Sequence, residues 1–172
     1  MAGVADAQKF KQQIEYIMHV RGNVTKELTE MAVIVDCSMP EEKARDSVKW
    51  IAATLKRMGE SFNNVRLNLV QWRTDGNIEC IAEPLIAATF ARGLEDYCRI
   101  EEEKYLEPLL EYLRKFQARS KIVILVTEGK YGIQDKEEAV KLLFPFLGKK
   151  MLIFSDKEIS ENLGIRNIMI NV

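Results

Sequence analysis

The sequence predicts an α/β fold: a doubly wound, mostly parallel central sheet with helices on both faces and one antiparallel edge strand. Two continuous apolar runs, residues 31–35 and 122–126, are typical of strands buried on both faces of a parallel sheet. Segments with helical periodicity lie between the predicted strands, and this alternation requires right-handed crossovers. The Asp75-Gly76 pair joins two strand-like segments and predicts a hairpin, which supplies the antiparallel edge.

The composition predicts a single domain over residues 1–172. Apolar residues make up 47% of the chain, charged residues 30%, and the formal net charge is −1. A near-zero charge gives no electrostatic reason to expect nucleic acid or an anionic membrane as a partner. Three widely spaced cysteines, together with the absence of a secretion signal or a long apolar stretch, predict reduced thiols in a cytoplasmic protein.

Two helices are predicted in the first third of the chain. Apolar residues at three- and four-residue steps predict an amphipathic helix over residues 5–21, which must dock on the sheet or lie across its edge. A second helix extends from Pro40 to about Gly59. Ser38 and Glu41 match a capping box at its start, where a proline in the first turn loses no hydrogen bond.

The same periodicities predict the remaining elements. Two helical stripes follow the hairpin and meet at a joint over residues 99–101. Residues 101–103, three glutamates, are expected to begin the second of these helices, because carboxylates complement the positive end of a helix dipole. The other predicted elements are strands at residues 65–72, 78–82, 122–126, 151–154 and 168–172 and helices over residues 85–98 and 135–147. The second helical stripe ends near residue 116, and Pro108 marks another possible start or kink within it.

Polar side chains follow both of the buried strands. Asp36 and Ser38 come directly after the first apolar run, and Glu128 comes after the later one. The carboxyl ends of parallel strands meet at one edge of the sheet, and this edge is where open α/β sheets bind their ligands. We therefore expect these three side chains to lie near one another.

The two end-of-strand motifs and the order of elements over residues 30–172 resemble the von Willebrand factor A family. Members have a Rossmann-like sheet that often carries a metal-ion-dependent adhesion site. The family's first strand ends in Asp-x-Ser-x-Ser, and this chain has Asp-Cys-Ser-Met-Pro at residues 36–40. A later strand ends in Thr-Asp-Gly, and this chain has Thr-Glu-Gly at residues 127–129. The resemblance also implies a helix after the last strand, a place that the N-terminal helix is expected to take.

The resemblance implies a cation site from which ligands are missing. In the family, hydroxyls of the first motif, a threonine between the middle helices and the later acidic residue help to ligate the ion. Here Pro40 replaces the second serine, and the helix joint contains no threonine. Magnesium requires several oxygen ligands in near-octahedral geometry. Asp36, Ser38 and Glu128 are therefore expected to form a degenerate site that binds Mg or Mn weakly or not at all, and no other cofactor is expected.

An internal positive charge is the alternative to a metal at this edge. Two converging carboxylates repel each other unless one is protonated or paired. Arg99, at the helix joint, or Lys130, after the later motif, is expected to supply that charge. Asp36 and Ser38 also have purely structural explanations, since the first complements the following helix dipole and the second caps the helix.

The leading functional interpretation is a non-enzymatic intracellular module that binds a protein partner. Its contact surface, called the rim below, lies at the carboxyl ends of the strands and comprises Trp72, Asp75, Arg99, Lys130 and Tyr131. No catalytic residue is assigned, and no feature of the sequence indicates an oligomeric state.

The alternative function is a thiol-dependent enzyme, or a small-ligand or phosphate binder, that uses Cys37 at the same rim. This cysteine lies at a strand-to-helix turn, where a helix dipole lowers the pKa of a thiol. The arrangement resembles cysteine-dependent phosphatases, in which an arginine follows the cysteine by six positions. Lys43 occupies that position here, while Pro40 removes an amide donor and Glu41 repels phosphate. The only histidine, His19, is remote from the rim.

Overall fold

The computed structural model describes residues 3–18, 29–58, 65–84, 94, 96–146 and 151–172, and it has the predicted α/β fold. Within these ranges, six strands form one sheet and four α-helices cover it. The strands are β1 (Thr29–Asp36), β2 (Val65–Thr74), β3 (Asn77–Pro84), β4 (Ile122–Val126), β5 (Met151–Ser155) and β6 (Arg166–Met169). The helices are α1 (Val4–Met18), α2 (Glu41–Arg57), α3 (Leu106–Phe116) and α4 (Lys136–Leu143), and a 3-10 turn, Phe144–Phe146, follows α4.

The strand order is β3-β2-β1-β4-β5-β6. All neighbours are parallel except β2 and β3, which form the predicted hairpin around Asp75-Gly76 with Thr74 opposite Asn77. From β1 the chain first proceeds outward to β2 and β3, and it then returns to β4 on the other side of β1. The boundary between β1 and β4 is therefore the topological switch point of the sheet, where ligands bind in open α/β folds.

The sheet separates two hydrophobic clusters. Val33 and Val35 of β1 pack into the cluster that contains α1 and α2, while Ala32 and Ile34 pack into the cluster that contains α3 and α4. All four side chains are fully buried. The apolar run was therefore correctly predicted to be a strand covered on both faces.

Helix α1 docks on the sheet through one face. Its residues Phe10, Ile14 and Ile17 are buried in the same cluster as α2. The ring of Phe10 meets those of Trp50 and Phe154 edge-on, at centroid distances of 5.3 Å and 6.1 Å. The end of the predicted helix, residues 19–21, and His19 with it, lies outside the described residues.

The predicted capping box of α2 and the predicted start of α3 are wrong, and both errors lie at the carboxyl edge. Pro40 is the N-cap of α2 and makes no side-chain cap, so Ser38 does not close a capping box. The backbone N–H of Ser38 instead donates to the Asp36 carboxylate at 3.0 Å, and this hydrogen bond turns the chain before the helix begins. Residues 101–103 are not helical, because α3 begins only at Leu106.

The predicted helix over residues 85–98 lies mostly outside the described residues. Only Leu94 and residues 96–98 of this segment are described, and they form turn and irregular backbone. The same limit applies to Gly59, the predicted end of the second helix. In the part of the chain that the structure describes, no helix is both long enough and apolar enough to cross a lipid bilayer.

Candidate functional site

Asp36 ends β1 at the switch point, and its carboxylate is fully buried. One oxygen, Oδ2, accepts the hydroxyl of Thr127 at 2.6 Å, and that threonine follows β4 directly. The other oxygen, Oδ1, accepts the backbone N–H of Ser38 at 3.0 Å and is also paired with the ammonium group of Lys104. Both carboxylate oxygens are therefore occupied by protein donors.

Lys104 is the residue of this candidate site that the sequence did not reveal. Its side chain has no exposed surface. The Nζ atom forms an ion pair with Asp36, donates to the carbonyl oxygen of Trp72 at 2.9 Å and lies 4.3 Å from the centre of the Trp72 ring. A buried charge is tolerated only when it is paired and hydrogen-bonded, and both conditions are met. The lysine follows three glutamates that were expected to begin a helix, and no role was predicted for it.

Residues 97–105, which we call the strap, bring Lys104 to this position. The strap crosses the carboxyl edge and is hydrogen-bonded to the loop between β1 and α2. The hydroxyl of Tyr97 donates to the carbonyl oxygen of Met39 at 2.5 Å. The N–H of Ile100 donates to the carbonyl oxygen of Cys37 at 2.8 Å. The Arg99 side chain donates to the carbonyl oxygen of Ser38 at 3.2 Å. The strap therefore covers the switch point.

The far end of the strap is fixed by two other loops. The N–H of Tyr105 donates to the Asp75 carboxylate at 3.0 Å, in the hairpin turn. Gly132, in the loop after β4, donates its N–H to the carbonyl oxygen of Lys104 and accepts the N–H of Leu106, both at 2.9 Å. A Cβ atom on Gly132 would lie 3.2 Å from two ring carbons of Tyr105, so the backbones approach closely because this residue is glycine.

Glu128 has a separate set of cationic partners. Lys43 of α2 forms ion pairs with Glu128 at 2.8 Å and with Asp156 at 2.5 Å, and Lys130 lies 3.8 Å from Glu128. Burial opposes the charged form of Lys43, but the hydrogen bonds to the two carboxylates outweigh it and hold its pKa above the usual value. Lys43, which occupies the position of the phosphatase arginine, is therefore already paired with acidic side chains.

Of the three predicted metal ligands, Asp36 and Glu128 are paired with ammonium groups, and Ser38 donates its backbone N–H to Asp36. Asp36 is paired with Lys104 and Glu128 with Lys43, so each carboxylate already has a cationic partner. Among the described residues, no group of three or more histidine, cysteine, aspartate and glutamate side chains is placed to hold a metal ion. This arrangement does not fit a divalent cation, which needs several oxygens free to coordinate it.

The positive charge beside Asp36 was expected from Arg99 or Lys130, but Lys104 supplies it. Lys104 is the partner of Asp36, whereas Lys130 lies near Glu128. Arg99 is paired with Glu101 at 3.4 Å and donates to the carbonyl oxygen of Ser38, in the loop between β1 and α2. Neither of the two expected residues is paired with Asp36 in the structure.

Cys37 is fully buried, and its thiol donates to the carbonyl oxygen of Val35 at a distance of 3.7 Å. Burial raises the pKa of this thiol to about 12, although the nearby charge of Lys104 acts in the opposite direction. The expectation of a helix dipole that lowers the pKa is therefore wrong for this residue. Cys80 and Cys98 are exposed.

Only some of the predicted rim residues are exposed to solvent. Trp72 is fully buried beneath Lys104 and packs against Tyr131 at a centroid distance of 5.6 Å, which corrects the expectation of an exposed contact. The strand was predicted to end at Trp72, but β2 continues to Thr74. The Trp72 side chain is part of the hydrophobic cluster that contains α3 and α4. Tyr131 is also buried, and its hydroxyl donates to the carbonyl oxygen of Glu161.

The remaining rim residues differ in exposure. Asp75 is half-buried and accepts the N–H of Tyr105. Arg99 and Lys130 are exposed, with side-chain exposures of 39% and 52%. The accessible part of the rim therefore consists of charged side chains, and the exposed glutamates at residues 101–103 follow Arg99 in the chain.

No protein-family model and no curated protein matches this chain. Among solved structures, the chain is similar to the pilus adhesin SpaC from Lactobacillus rhamnosus GG, with 16% sequence identity and a TM-score of 0.47. The match covers 62% of this chain and 16% of the adhesin chain. A similarity at this level supports no inference about fold or function.

Proposed function

We propose that this chain is a non-enzymatic intracellular protein-interaction module, related to the von Willebrand factor A fold, that binds its partner at the exposed rim. The observation that carries the proposal is the closure of the switch point. Asp36 and Lys104 fill it from within, and the strap covers it. What the carboxyl edge presents to solvent is therefore a charged surface.

The chemistry beneath the strap favours this function over small-ligand binding. Ligand sites are concave and offer a few convergent polar groups to the bound molecule. Here both oxygens of Asp36 and the ammonium of Lys104 are already satisfied by protein groups. Cys37 is buried and has a raised pKa, so no observation among the described residues favours the thiol-dependent alternative.

The resemblance to the von Willebrand factor A family supports the proposal from another direction. The end-of-strand motifs at residues 36–40 and 127–129 lie on the two strands that flank the switch point. The hairpin supplies the single antiparallel edge that the resemblance implies. The resemblance implies an adhesion site at this edge, and the exposed charges of Arg99 and Lys130 would contribute to partner selection and to the rate of association here.

Charge reversal on the rim tests the proposal. The chain with Arg99→Glu and Lys130→Glu is compared with a control that carries Lys9→Glu and Lys49→Glu, two exposed lysines on α1 and α2. Each variant and the wild type is used to capture partners from an extract of the source cell, with and without a chelator. A photo-crosslinking residue at position 99 or 49 then reports which surface touches the captured protein.

The expected result is a partner that crosslinks to position 99 and binds the rim variant about tenfold or more weakly, roughly 1.4 kcal/mol. The control variant retains the partner, and the chelator has no effect. Equal loss in both variants, or crosslinking at position 49 alone, would contradict the proposal.

A further inference from the structure

We propose that the ammonium group of Lys104 is the resident cation of the switch-point site, so that this lysine takes the place of a divalent metal ion. The inference concerns the interior of the site and does not depend on which partner binds the rim. It assigns the predicted internal positive charge to Lys104 and not to Arg99 or Lys130. It also implies that the site could bind a metal ion if the lysine side chain were removed.

The surroundings of the ammonium are those of a small cation site. Nζ contacts the carboxylate of Asp36 and the carbonyl oxygen of Trp72, and the face of the Trp72 ring lies 4.3 Å away. Oxygen ligands of this kind suit Mg and Mn, and an aromatic face attracts any cation. The group that these atoms surround is an ammonium carried by the chain itself.

The charges balance without a metal. Asp36 and Lys104 form one pair, and Glu128 is engaged separately by Lys43. A divalent ion would therefore have to displace a tethered ammonium from its own carboxylate. The tether favours the lysine, since an intramolecular group competes at a high effective concentration.

The backbone holds Lys104 in place. The hydrogen bonds between Gly132 and the backbone on both sides of Tyr105 fix the end of the strap. Tyr105 is also bonded to the hairpin turn through Asp75. Contacts that do not involve Asp36 therefore also direct the ammonium into the site.

Removal of the lysine side chain should expose the latent metal site. In a Lys104→Ala chain, the Asp36 carboxylate, the Trp72 carbonyl and the Thr127 hydroxyl would surround an open, negatively charged space. These are hard oxygen donors, which is the chemistry that Mn and Mg select. Lys104→Met is the matched control, because methionine removes the charge and still fills the space.

Mn²⁺ is the probe, and its binding is followed by electron paramagnetic resonance and by thermal unfolding. We expect no stoichiometric binding and no change in Tm for the wild type. Lys104→Ala should bind one Mn²⁺ and gain Tm with increasing metal, and the gain should disappear when Asp36→Ala is added. Lys104→Met should be destabilised and unresponsive to Mn²⁺.

Three outcomes would overturn the proposal: Asp36-dependent Mn²⁺ binding by the wild type, equal binding by the alanine and methionine variants, or no binding by a folded Lys104→Ala chain. If that variant does not fold, NMR of the wild-type lysine ammonium groups decides. The Lys104 ammonium should exchange its protons with water far more slowly than that of the exposed Lys130, and Mn²⁺ should leave its signal sharp. Rapid exchange, or selective broadening by Mn²⁺, would contradict the proposal.

Discussion

Lys104 and Asp36 place two opposite charges where neither has access to water. Such a pair contributes little net stability compared with apolar residues of the same size, but removal of one partner is strongly destabilising because it leaves an uncompensated buried charge. The pair also specifies geometry, since Lys104 satisfies Asp36 only when the strap lies across the switch point. We infer that the ion pair selects the closed arrangement of the strap.

Cys37 provides a test at the residue scale. With a pKa of about 12, its thiol is protonated throughout the neutral range, and roughly one molecule in 10⁴ carries the thiolate at pH 8. Because the thiolate is the nucleophile, we expect a thiol reagent at pH 8 to label Cys80 and Cys98 quickly and Cys37 only after unfolding in denaturant.

Mass spectrometry of the labelled peptides measures the three rates separately, and Cys37→Ala serves as the assignment control. The rate at Cys37 should increase with pH without a plateau near the usual pKa of a thiol. Labelling of Cys37 in the native protein as fast as at Cys98 would contradict the structure and revive the thiol-dependent alternative.

The sequence identified one half of the buried ion pair. Asp36 was recognisable because it ends an apolar run, and strand ends meet at the ligand-binding edge of such a sheet. Lys104 was not, because a lysine after three glutamates has the pattern of a solvated helix start. Its pairing is a long-range contact, and the local sequence carries no signal for it.

At the scale of elements, the strap is the part of the fold that links the candidate site to the rim. It has no regular secondary structure of its own, and hydrogen bonds to three different loops hold it in place. Periodicity predicted the buried strands and the hairpin, because their side chains alternate or form continuous apolar runs. It could not predict the strap, since an extended segment with distant partners has no period.

Gly132 provides the test at this scale. A Cβ atom there would lie 3.2 Å from the ring of Tyr105, so we expect Gly132→Ala to push the strap away from the loop after β4. Overpacking of this kind costs about 1–3 kcal/mol of the free energy of unfolding. Gly76→Ala is the control, because a Cβ at that turn position meets no atom within 4 Å.

Denaturant unfolding measures the difference in stability, and hydrogen exchange locates it. In Gly132→Ala, the amides of Leu106 and residue 132 should lose protection, whereas those in β1 and β4 should keep it. The same stability for both alanine variants, or equal loss of protection across the sheet, would show that this contact does not anchor the strap.

At the scale of the whole molecule, the sheet is covered by two helical layers, and α1 completes one of them. Periodicity predicted that this helix is amphipathic, but only the structure shows what its apolar face covers. Phe10 meets Trp50 and Phe154, so α1 joins α2 to the β5 side of the sheet. The helix is therefore part of the hydrophobic core.

The contribution of α1 to stability is the final prediction. Phe10→Ala should lower the free energy of unfolding by about 3–5 kcal/mol, because it removes a fully buried ring and leaves a cavity between Trp50 and Phe154. Gln12→Ala, at an exposed position of the same helix, should change it by less than about 0.5 kcal/mol. A chain that lacks residues 1–22 should unfold at a clearly lower Tm than the full chain, as measured by calorimetry. If the truncated chain and Phe10→Ala both kept the wild-type Tm, α1 would not be part of the folded core, and the docking of this helix on the sheet would be wrong.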